Sequence, residues 1–436
     1  MLDVLKNRTY RHLLAAQVIA LLGTGLATIA LSLLAYDLAG GNAGAVLGTA
    51  LAIKMFAYIL VAPIASGFTD RISRRALLVS LDIIRALVAL GLPFVTQVWQ
   101  VYVLIFVLQS ASAAFTPTFQ ATIPDVLPDE AQYTKALSLS RLAYDLENLI
   151  SPALAAALLS VVSFHSLFFG TSIGFIASAL LVISVAVPKI TVKSAGGVYE
   201  RTTKGIRLYF STPRLKGLLA LNLAIASASA MVIVNTVVLV QSKLGLTTKD
   251  VAWMLAAYGA GSMVTALLLP RILEKFKDRS VMFVGAGVLV VGLFLGPVMS
   301  IHQVTLMVLW ACLGAGGSLV QTPSGRLLRR SANAADRPAI FAAQFALSHA
   351  CWLISYPLAG WLGARSGMGV SFSALAFLAA VSVALAIWVW PKGDGESVVH
   401  EHPDLPRDHP HLAGGHVHSH EVVIDDLHAH WPNRSH

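Results

Sequence analysis

Ten of the fourteen histidines of this 436-residue chain lie between His400 and His436, and most of them are arranged in His-X-His steps. The candidate metal ligands in these steps are His400, His402, His409, His411, His416, His418, His420, His428 and His430. Imidazole favours nickel, cobalt, copper and zinc over calcium and magnesium. The segment has no Cys, which argues against a closed structural zinc site. Overlapping pairs therefore predict weak, exchanging binding of several ions.

The segment that carries these histidines, 391–436, is polar and acidic, with eight Asp and Glu against three Lys and Arg. It has four prolines after Pro391 and is predicted to be disordered alone. Two other interpretations stay open, a pH-sensitive solubilising tail and an engineered tag. The spacing of the histidines and the acids between them favour metal binding over a tag.

A second set of candidates is ionisable residues inside long apolar stretches, where a charge is costly and indicates function by default. They are Lys54, Asp82, Arg85, Arg141, Asp145 and Glu147, joined by His349. Asp82 and Arg85 are three residues apart and are predicted to be structural. Gln17 and Gln109 are expected to line a cavity, although packing is the commoner role for such residues.

The stretch SLSRLAYDLENLISP, 138–152, concentrates polar groups on one helical face. Arg141, Asp145 and Asn148 recur at helical spacing along that face, whereas Glu147 falls elsewhere. Asp145 is predicted to lie near the middle of the membrane and to bind a cation or a proton. Alternatively, Asp145 and Arg141 form an ion pair one turn apart that neutralises the two charges and has no further role.

These residues belong to a chain that is 56% hydrophobic and 12% charged, about half the charged fraction of an average soluble domain. Twelve apolar runs are long enough to cross a bilayer as helices. Their predicted bounds are 12–37, 44–69, 76–95, 101–123, 134–162, 165–187, 215–241, 251–270, 280–300, 303–325, 338–363 and 370–390. The first run lacks a cleavage signature and is predicted to be retained. Cys312 and Cys351 fall inside spans and give no disulfide framework.

Basic residues are distributed unevenly between the loops. Of the 31 Lys and Arg, only Lys243, Lys249 and Arg365 fall in loops on the side opposite the termini. This bias predicts that both termini are cytoplasmic. It also explains the net charge of +9 without a nucleic-acid partner. The sequence shows neither a phosphate-cradling loop nor a coherent nucleophile–base set, so an ATP-driven pump and an enzyme are both disfavoured.

The polar stretch at 188–214 divides the chain, and short matches relate the two sides. LIS at 149–151 recurs at 353–355, and TP at 116–117 recurs at 322–323, which suggests duplicated halves. The predicted domains are an N-terminal six-helix bundle (1–187), a cytoplasmic linker (188–214), a C-terminal six-helix bundle (215–390) and the metal-binding tail (391–436).

The offset of 204 between the LIS copies takes Asp145 to His349. A carboxylate and an imidazole are therefore predicted to face one another between the halves, which suits a divalent metal or a proton relay. Lys54 could neutralise Asp145 when the site is empty. His349 could equally be a core histidine bonded to a carbonyl, and Lys54 a structural bridge.

The loop after the second predicted span reads GFTDRISRRALL, residues 67–78. It resembles the signature of the major facilitator superfamily at Gly67, Asp70, Arg71, Arg74 and Arg75. That resemblance implies an all-α membrane protein with twelve transmembrane helices in two pseudo-symmetric halves. Gly67 lets helices approach closely, and Asp70 can pair with the arginines or cap a helix, which predicts a cytoplasmic latch. Alternatively, the arginines are only topology anchors.

A histidine-rich tail on such a chain resembles the bacterial nickel-resistance exporters of the NreB type, and 119–152 is similar to that group. The resemblance implies efflux of Ni²⁺ across the bacterial inner membrane by proton antiport, by a protein that needs no cofactor and is expected to be monomeric. Drug, macrolide and siderophore exporters share much of 119–152. An organic substrate with a metal-sensing tail therefore stays open, as does a metal receptor or buffer that does not transport.

Overall fold

The computed structural model of the chain is a bundle of long helices. It describes residues 2–68, 73–186, 198–332, 337–390, 398–401 and 417–420. Within these ranges there are thirteen α-helices and one two-stranded antiparallel sheet.

The helices are α1 (Arg8–Ala39), α2 (Ala43–Phe68), α3 (Arg74–Gly91), α4 (Val98–Val126), α5 (Glu130–Leu158), α6 (Phe164–Ile183), α7 (Val198–Ser211), α8 (Pro213–Val237), α9 (Thr248–Lys275), α10 (Asp278–Met299), α11 (Gln303–Arg330), α12 (Arg337–Ser366) and α13 (Met368–Val389). Helix α8 continues as a π-helical turn over Val238–Lys243. Short 3₁₀ helices lie at Leu2–Lys6, Gly40–Asn42 and Leu92–Phe94. The strands are β1 (Val398–Glu401) and β2 (Val417–His420).

Every α-helix except α7 coincides with one of the twelve predicted spans, and the all-α transmembrane fold is confirmed. Ten stretches of the described residues are long and apolar enough to cross a membrane, and the first, Arg8–Val61, holds both α1 and α2. Helix α5, whose side chains are described only in part, carries Arg141, Asp145 and Glu147. The chain is therefore a multi-pass membrane protein whose fifth predicted span is unusually polar.

The core lies around α8, which is buried along most of its length. Peripheral helices instead expose large apolar side chains, such as Trp388 at 82% and Phe377 at 68%. A soluble protein would cover such residues, whereas lipid tails are a favourable environment for them.

Helix α7 lies inside the segment predicted as a linker and was missed as a helix. It packs against α12, where a Cβ on Gly205 would lie 2.2 Å from the carbonyl oxygen of Ala339. The Tyr209 hydroxyl also donates a hydrogen bond to the Gln344 side chain. The linker is therefore attached to the second half of the bundle over these residues.

Two side-chain caps fix where helices of the first half begin. Ser73 accepts a hydrogen bond from the backbone N–H of Ala76 at 3.3 Å and so starts α3 at Arg74. Asp129 accepts one from the N–H of Gln132 at 2.9 Å and so starts α5. These caps set the register of the two helices that carry the signature arginines and the polar face.

The first six and last six transmembrane helices meet mainly through α2 with α12 and α5 with α9. A Cβ on Gly360 would lie 2.0 Å from the carbonyl oxygen of Gly44, and one on Gly48 would lie 2.5 Å from that of Tyr356. We call this backbone contact the glycine seam. It lies toward the end of the bundle at which α1 ends and α2 begins.

Strands β1 and β2 pair with His400 opposite His418 and Val398 opposite His420. Disorder was predicted for the whole tail, and these eight residues depart from it. The valines at 398, 399 and 417 favour extended backbone, which the composition argument did not weigh. The other histidines predicted as ligands, His402, His409, His411, His416, His428 and His430, lie outside the described residues.

Candidate functional site

The candidate site begins with two opposite charges inside the first half, Lys54 on α2 and Glu147 on α5. They are close enough to interact electrostatically. Glu147 is held against α1, since a Cβ on Gly25 would lie 2.2 Å from Oγ of Ser151 and 3.1 Å from Oε1 of Glu147. Only a glycine at 25 leaves room for both side chains. The sequence predicted Asp145 as the partner of Lys54, and the described partner is Glu147.

Lys54 also lines a small cavity in the first half. Its other polar lining residues include the hydroxyls of Thr24, Thr28 and Ser112 and the amide of Gln109. Gln109 is 8% exposed, and its Oε1 atom has no hydrogen-bond partner among the described residues. A buried acceptor of this kind is costly unless a ligand, a proton donor or water meets it. The cavity thus offers an acceptor beside an ammonium group.

Aromatic rings connect Lys54 to the second half. The ammonium of Lys54 lies 6.0 Å from the ring centre of Tyr58, and Tyr58 stacks on His349 of α12 with ring centres 5.3 Å apart and planes 6° apart. Phe345 lies on His349 with ring centres 4.0 Å apart. The row Glu147, Lys54, Tyr58, His349 therefore crosses from one half to the other. We call it the polar row.

His349 accepts or donates only one described hydrogen bond, between Nδ1 and the carbonyl oxygen of Phe345 at 2.6 Å. A carbonyl can only accept, so Nδ1 carries the hydrogen and Nε2 is left as a lone-pair nitrogen when the ring is neutral. That nitrogen is the one that can take a proton or a metal ion. Cys351, two residues further along α12, is buried and contacts the carbonyl of Leu219 at 3.9 Å.

Three other residues predicted for this site, Arg141, Asp145 and Asn148, lie on α5. The structure describes their helical backbone and not their side chains. The predicted pairing of Asp145 with His349 therefore stays a prediction. Gln17 is buried and accepts a hydrogen bond from Ser140 at 3.0 Å, away from the cavity lining.

The predicted cytoplasmic latch is described only in part. Gly67 lies in the last turn of α2, and Asp70 and Arg71 lie outside the described residues. Arg74 is the first residue of α3, and Arg75 donates a hydrogen bond to the carbonyl oxygen of Ile183 at the end of α6. The latch itself stays a prediction.

Asp82 and Arg85 form a buried pair within the first half. Arg85 donates to Asp82, and Ser178 donates to the other carboxylate oxygen at 2.8 Å. The guanidinium also lies between two rings, 4.0 Å from the centre of Phe115 and 4.5 Å from that of Phe175. All these partners come from the first half, so the pair can stabilise that half without any contact to the second half.

A charged cluster on the second half was missed. Asp278, at the start of α10, lies 3.8 Å from Arg326 and 4.0 Å from Arg330 at the end of α11. The fully buried Arg214 donates to Ser331 at 2.8 Å and to the carbonyl of Arg330 at 2.9 Å. This contact could have been predicted from the sequence. Helices α10 and α11 are joined by a short loop and have similar lengths, so the start of α10 and the end of α11 must lie at the same end of the bundle.

Near the N-terminus, the ammonium of Lys135 lies 2.7 Å from a carboxylate oxygen of Asp3. This hydrogen bond holds the pKa of the Asp3 carboxyl well below its usual range. The pair fixes the first 3₁₀ turn to the start of α5. It is exposed and belongs to no cavity.

Among the residues whose side chains the structure describes, no group of three or more His, Cys, Asp or Glu could hold a metal ion. The described part of the bundle therefore offers single ligands such as His349 and Glu147, and not a preformed metal cage.

The family model described as Major Facilitator Superfamily matches residues 13–247 and 218–414 of the chain. An uncharacterized MFS-type transporter, YfiS of Bacillus subtilis, is 27% identical over 326 residues, which cover 71% of this chain and 76% of the relative. Macrolide efflux protein A of Enterococcus faecalis is 27% identical over 154 residues, 33% of this chain and 47% of that protein.

Solved structures agree on the fold. A mutant of the nucleoside transporter NupG matches with a TM-score of 0.71 at 12% identity, over 87% of this chain and 98% of that one. A bacterial homolog of the lysosomal transporter Spinster, in an inward-facing and unoccupied conformation, matches with a TM-score of 0.70 at 12% identity, over 88% and 97%. At this identity the likeness establishes the fold alone.

Proposed function

The chain belongs to the major facilitator superfamily, and from that premise we propose that it is a secondary active exporter of a divalent metal ion, Ni²⁺ in the first place, driven by proton antiport. The observation that carries the metal assignment is the run of His-X-His steps between His400 and His430. Imidazole-rich, cysteine-free ligand sets of this kind suit Ni²⁺, Co²⁺, Cu²⁺ and Zn²⁺.

The proposed direction of transport rests on the predicted orientation of the tail. The loops that share a side with the termini hold nearly all the Lys and Arg, so the tail faces the cytoplasm of a bacterial inner membrane in this proposal. A cytoplasmic tail that binds metal weakly can collect ions where an exporter takes them up. We propose that the tail raises the local metal concentration and that the bundle performs the transport.

The polar row supplies a coupling mechanism. With Glu147 ionised, its charge balances Lys54, and a cation can approach the free nitrogen of His349. A proton on Glu147 leaves Lys54 uncompensated, and the charge of Lys54 acts on His349. The ammonium then repels a bound cation. Proton uptake therefore favours metal release, and proton loss restores the empty site, which together make an antiport cycle.

Asp145 remains part of this proposal as a further carboxylate for the metal. It lies two residues before Glu147, so the two carboxylates leave α5 on different faces. Arg141 and Asn148, on the face of Asp145, would orient it. In this arrangement one carboxylate of α5 serves the proton and the other serves the metal.

An organic substrate is the second candidate, favoured by a specific observation. Tyr58, Phe345, Trp352 and Tyr356 place a group of aromatic rings where the halves meet. One of the relatives is by name a macrolide efflux protein. Aromatic rings bind planar or apolar molecules well, and they add little to the affinity for a hydrated metal ion.

Efflux from metal-sensitive bacterial cells tests these alternatives. Cells that express the intact chain would be loaded separately with Ni²⁺, Co²⁺, Zn²⁺ and a fluorescent macrolide, and the loss of each would be followed over time. We expect Ni²⁺ to leave faster than from cells without the protein, and an uncoupler to abolish the difference. If only the macrolide leaves faster, the metal proposal is wrong and the organic substrate replaces it.

A further inference from the structure

The paired strands of the tail place three histidines at neighbouring register positions. His400 lies directly opposite His418, and His420 lies opposite Val398. Residues on a strand alternate between the two faces of a sheet with a period of two. His400, His418 and His420 therefore share one face of the ribbon with Val398.

The other face has a different composition. Val399 lies opposite Ser419, and Glu401 lies opposite Val417. It carries no histidine within the described strands, so the register places the three histidine positions on one face. Weak ligands spread at random along the tail would not be expected to occupy only one face of a strand pair.

The spacing of these positions suits one metal ion. Residues directly opposite in an antiparallel pair have Cβ atoms about 4.5–5.5 Å apart, and diagonal neighbours are about 7–8 Å apart. Imidazole nitrogens bind zinc at about 2.0–2.1 Å, and strand positions at this spacing are compatible with three ligands on one ion. Three histidines with a fourth position left open form a known ligand set, and the open position allows exchange.

We propose that His400, His418 and His420 form a discrete three-histidine site for a borderline divalent cation, and that metal binding holds β1 and β2 together. The identification of the cation as Ni²⁺ rests on the function proposed above, whereas the site itself does not. Two strands of four residues are marginal alone. An ion that binds only the paired form stabilises it by mass action. The tail would then order as metal accumulates.

The experiment exchanges neighbouring residues so that composition stays constant. In the first variant, His418→Ser is combined with Ser419→His, which moves one imidazole to the opposite face. In the matched control, Ser435→His is combined with His436→Ser, an equal exchange outside the strands at a histidine that is not among the predicted ligands. Ni²⁺ binding to the purified full-length chain in detergent would be measured by equilibrium dialysis, with transport in cells as a separate readout.

The first exchange is expected to weaken the tightest Ni²⁺ equivalent by at least about tenfold, since even outer-sphere changes cost that much, and the control is expected to leave it unchanged. No effect of either exchange would show that binding follows the number of histidines, and an equal loss in both would show that the strand positions are not special. Either result would overturn the site. A chain that binds Ni²⁺ in this pattern but exports no metal from cells would overturn the proposed function and leave the site standing.

Discussion

The two halves of the bundle differ in where they hold charge. The first half carries six charged residues well inside its predicted spans, from Lys54 to Glu147, whereas the predicted spans of the second half carry only Lys216, next to the start of α8. The second half instead groups its charges at helix ends, as in the contact of Asp278 with Arg326 and Arg330.

This difference assigns separate roles to halves that share one architecture. A charged residue inside a membrane is costly and therefore indicates a function. In our proposal, coupling to protons belongs to the first half for this reason. The second half contributes one titratable ring, His349, to the polar row. Charged contacts at its helix ends can hold these helices together without placing charge inside the membrane.

The sharpest test of this asymmetry removes the charge of Glu147. Glu147→Gln keeps the shape of the side chain and leaves Lys54 permanently uncompensated, so Ni²⁺ efflux is expected to fall by more than about tenfold, within the usual range of coupling energies. Glu274→Gln, an identical change at an exposed position near the end of α9, is the control and should transport normally. Initial efflux rates from loaded cells measure both.

A double variant separates coupling from folding in the same pair. Lys54→Met alone leaves an unbalanced carboxylate inside the bundle and should lower the amount of folded protein. Adding Glu147→Gln removes both charges and should restore that amount without restoring efflux. Restored transport in the double variant would mean that the pair is only structural, and the first half would lose its assigned role.

The next largest effect is expected at the glycine seam. In Gly360→Ala the new methyl would meet the carbonyl of Gly44, and overpacking of this kind costs about 1–3 kcal/mol. The state in which α2 and α12 touch would become rarer, and transport should slow about 5- to 150-fold. Gly287→Ala on α10 has open space around the added methyl and serves as the control. Equal transport by both variants would exclude the seam from the cycle.

A smaller effect is expected from His349→Phe, which keeps a ring against Tyr58 and removes the free nitrogen. Efflux of Ni²⁺ should fall about tenfold or less, because the carboxylates that we propose for the metal and the proton, Asp145 and Glu147, are unchanged. The matched change is His165→Phe on α6, where the histidine ring also lies against a phenyl ring, that of Phe164. Full activity in His349→Phe would reduce the ring to packing and leave the second half without any titratable role.

The smallest effect is expected at the Asp3–Lys135 contact, which belongs to neither half's interior. A carboxyl with a lowered pKa stabilises the folded state above its ordinary pKa, and this contribution is lost as the pH falls toward the lowered value. Asp3→Asn should therefore speed proteolysis of the N-terminal segment at neutral pH and make no difference in strong acid. Ni²⁺ efflux should be unchanged, and a loss of efflux would show that this contact takes part in transport.

The helices of the fold were predictable because each needs only a long apolar run, a signal that lipid imposes on the sequence itself. Helix α7 was missed for the opposite reason. Its segment, VYERTTKGIRLYFS, is too polar to cross a membrane and was assigned by that property alone, although its apolar residues recur at helical spacing.

The candidate site was predicted less completely. Lys54, Glu147 and His349 stood out because ionisable groups are rare in apolar spans, but their grouping depends on how helices rotate about their axes. Glu147 was a candidate, but it was predicted to lie on a different face from Asp145, and that other face is the one that meets Gly25. Tyr58 and Phe345 gave no signal at all, since an aromatic residue in an apolar span is ordinary.

The glycine seam also bears on how well the protein insulates the membrane. The backbones of α2 and α12 touch near Gly44 and Gly360, and no side chain lies between them. A change of side-chain rotamer therefore cannot open a chain of water molecules at this contact. Close packing of this kind leaves no path for protons to hop along. A cell that produces much of this protein would therefore be expected to keep its membrane voltage while the transporter holds no substrate.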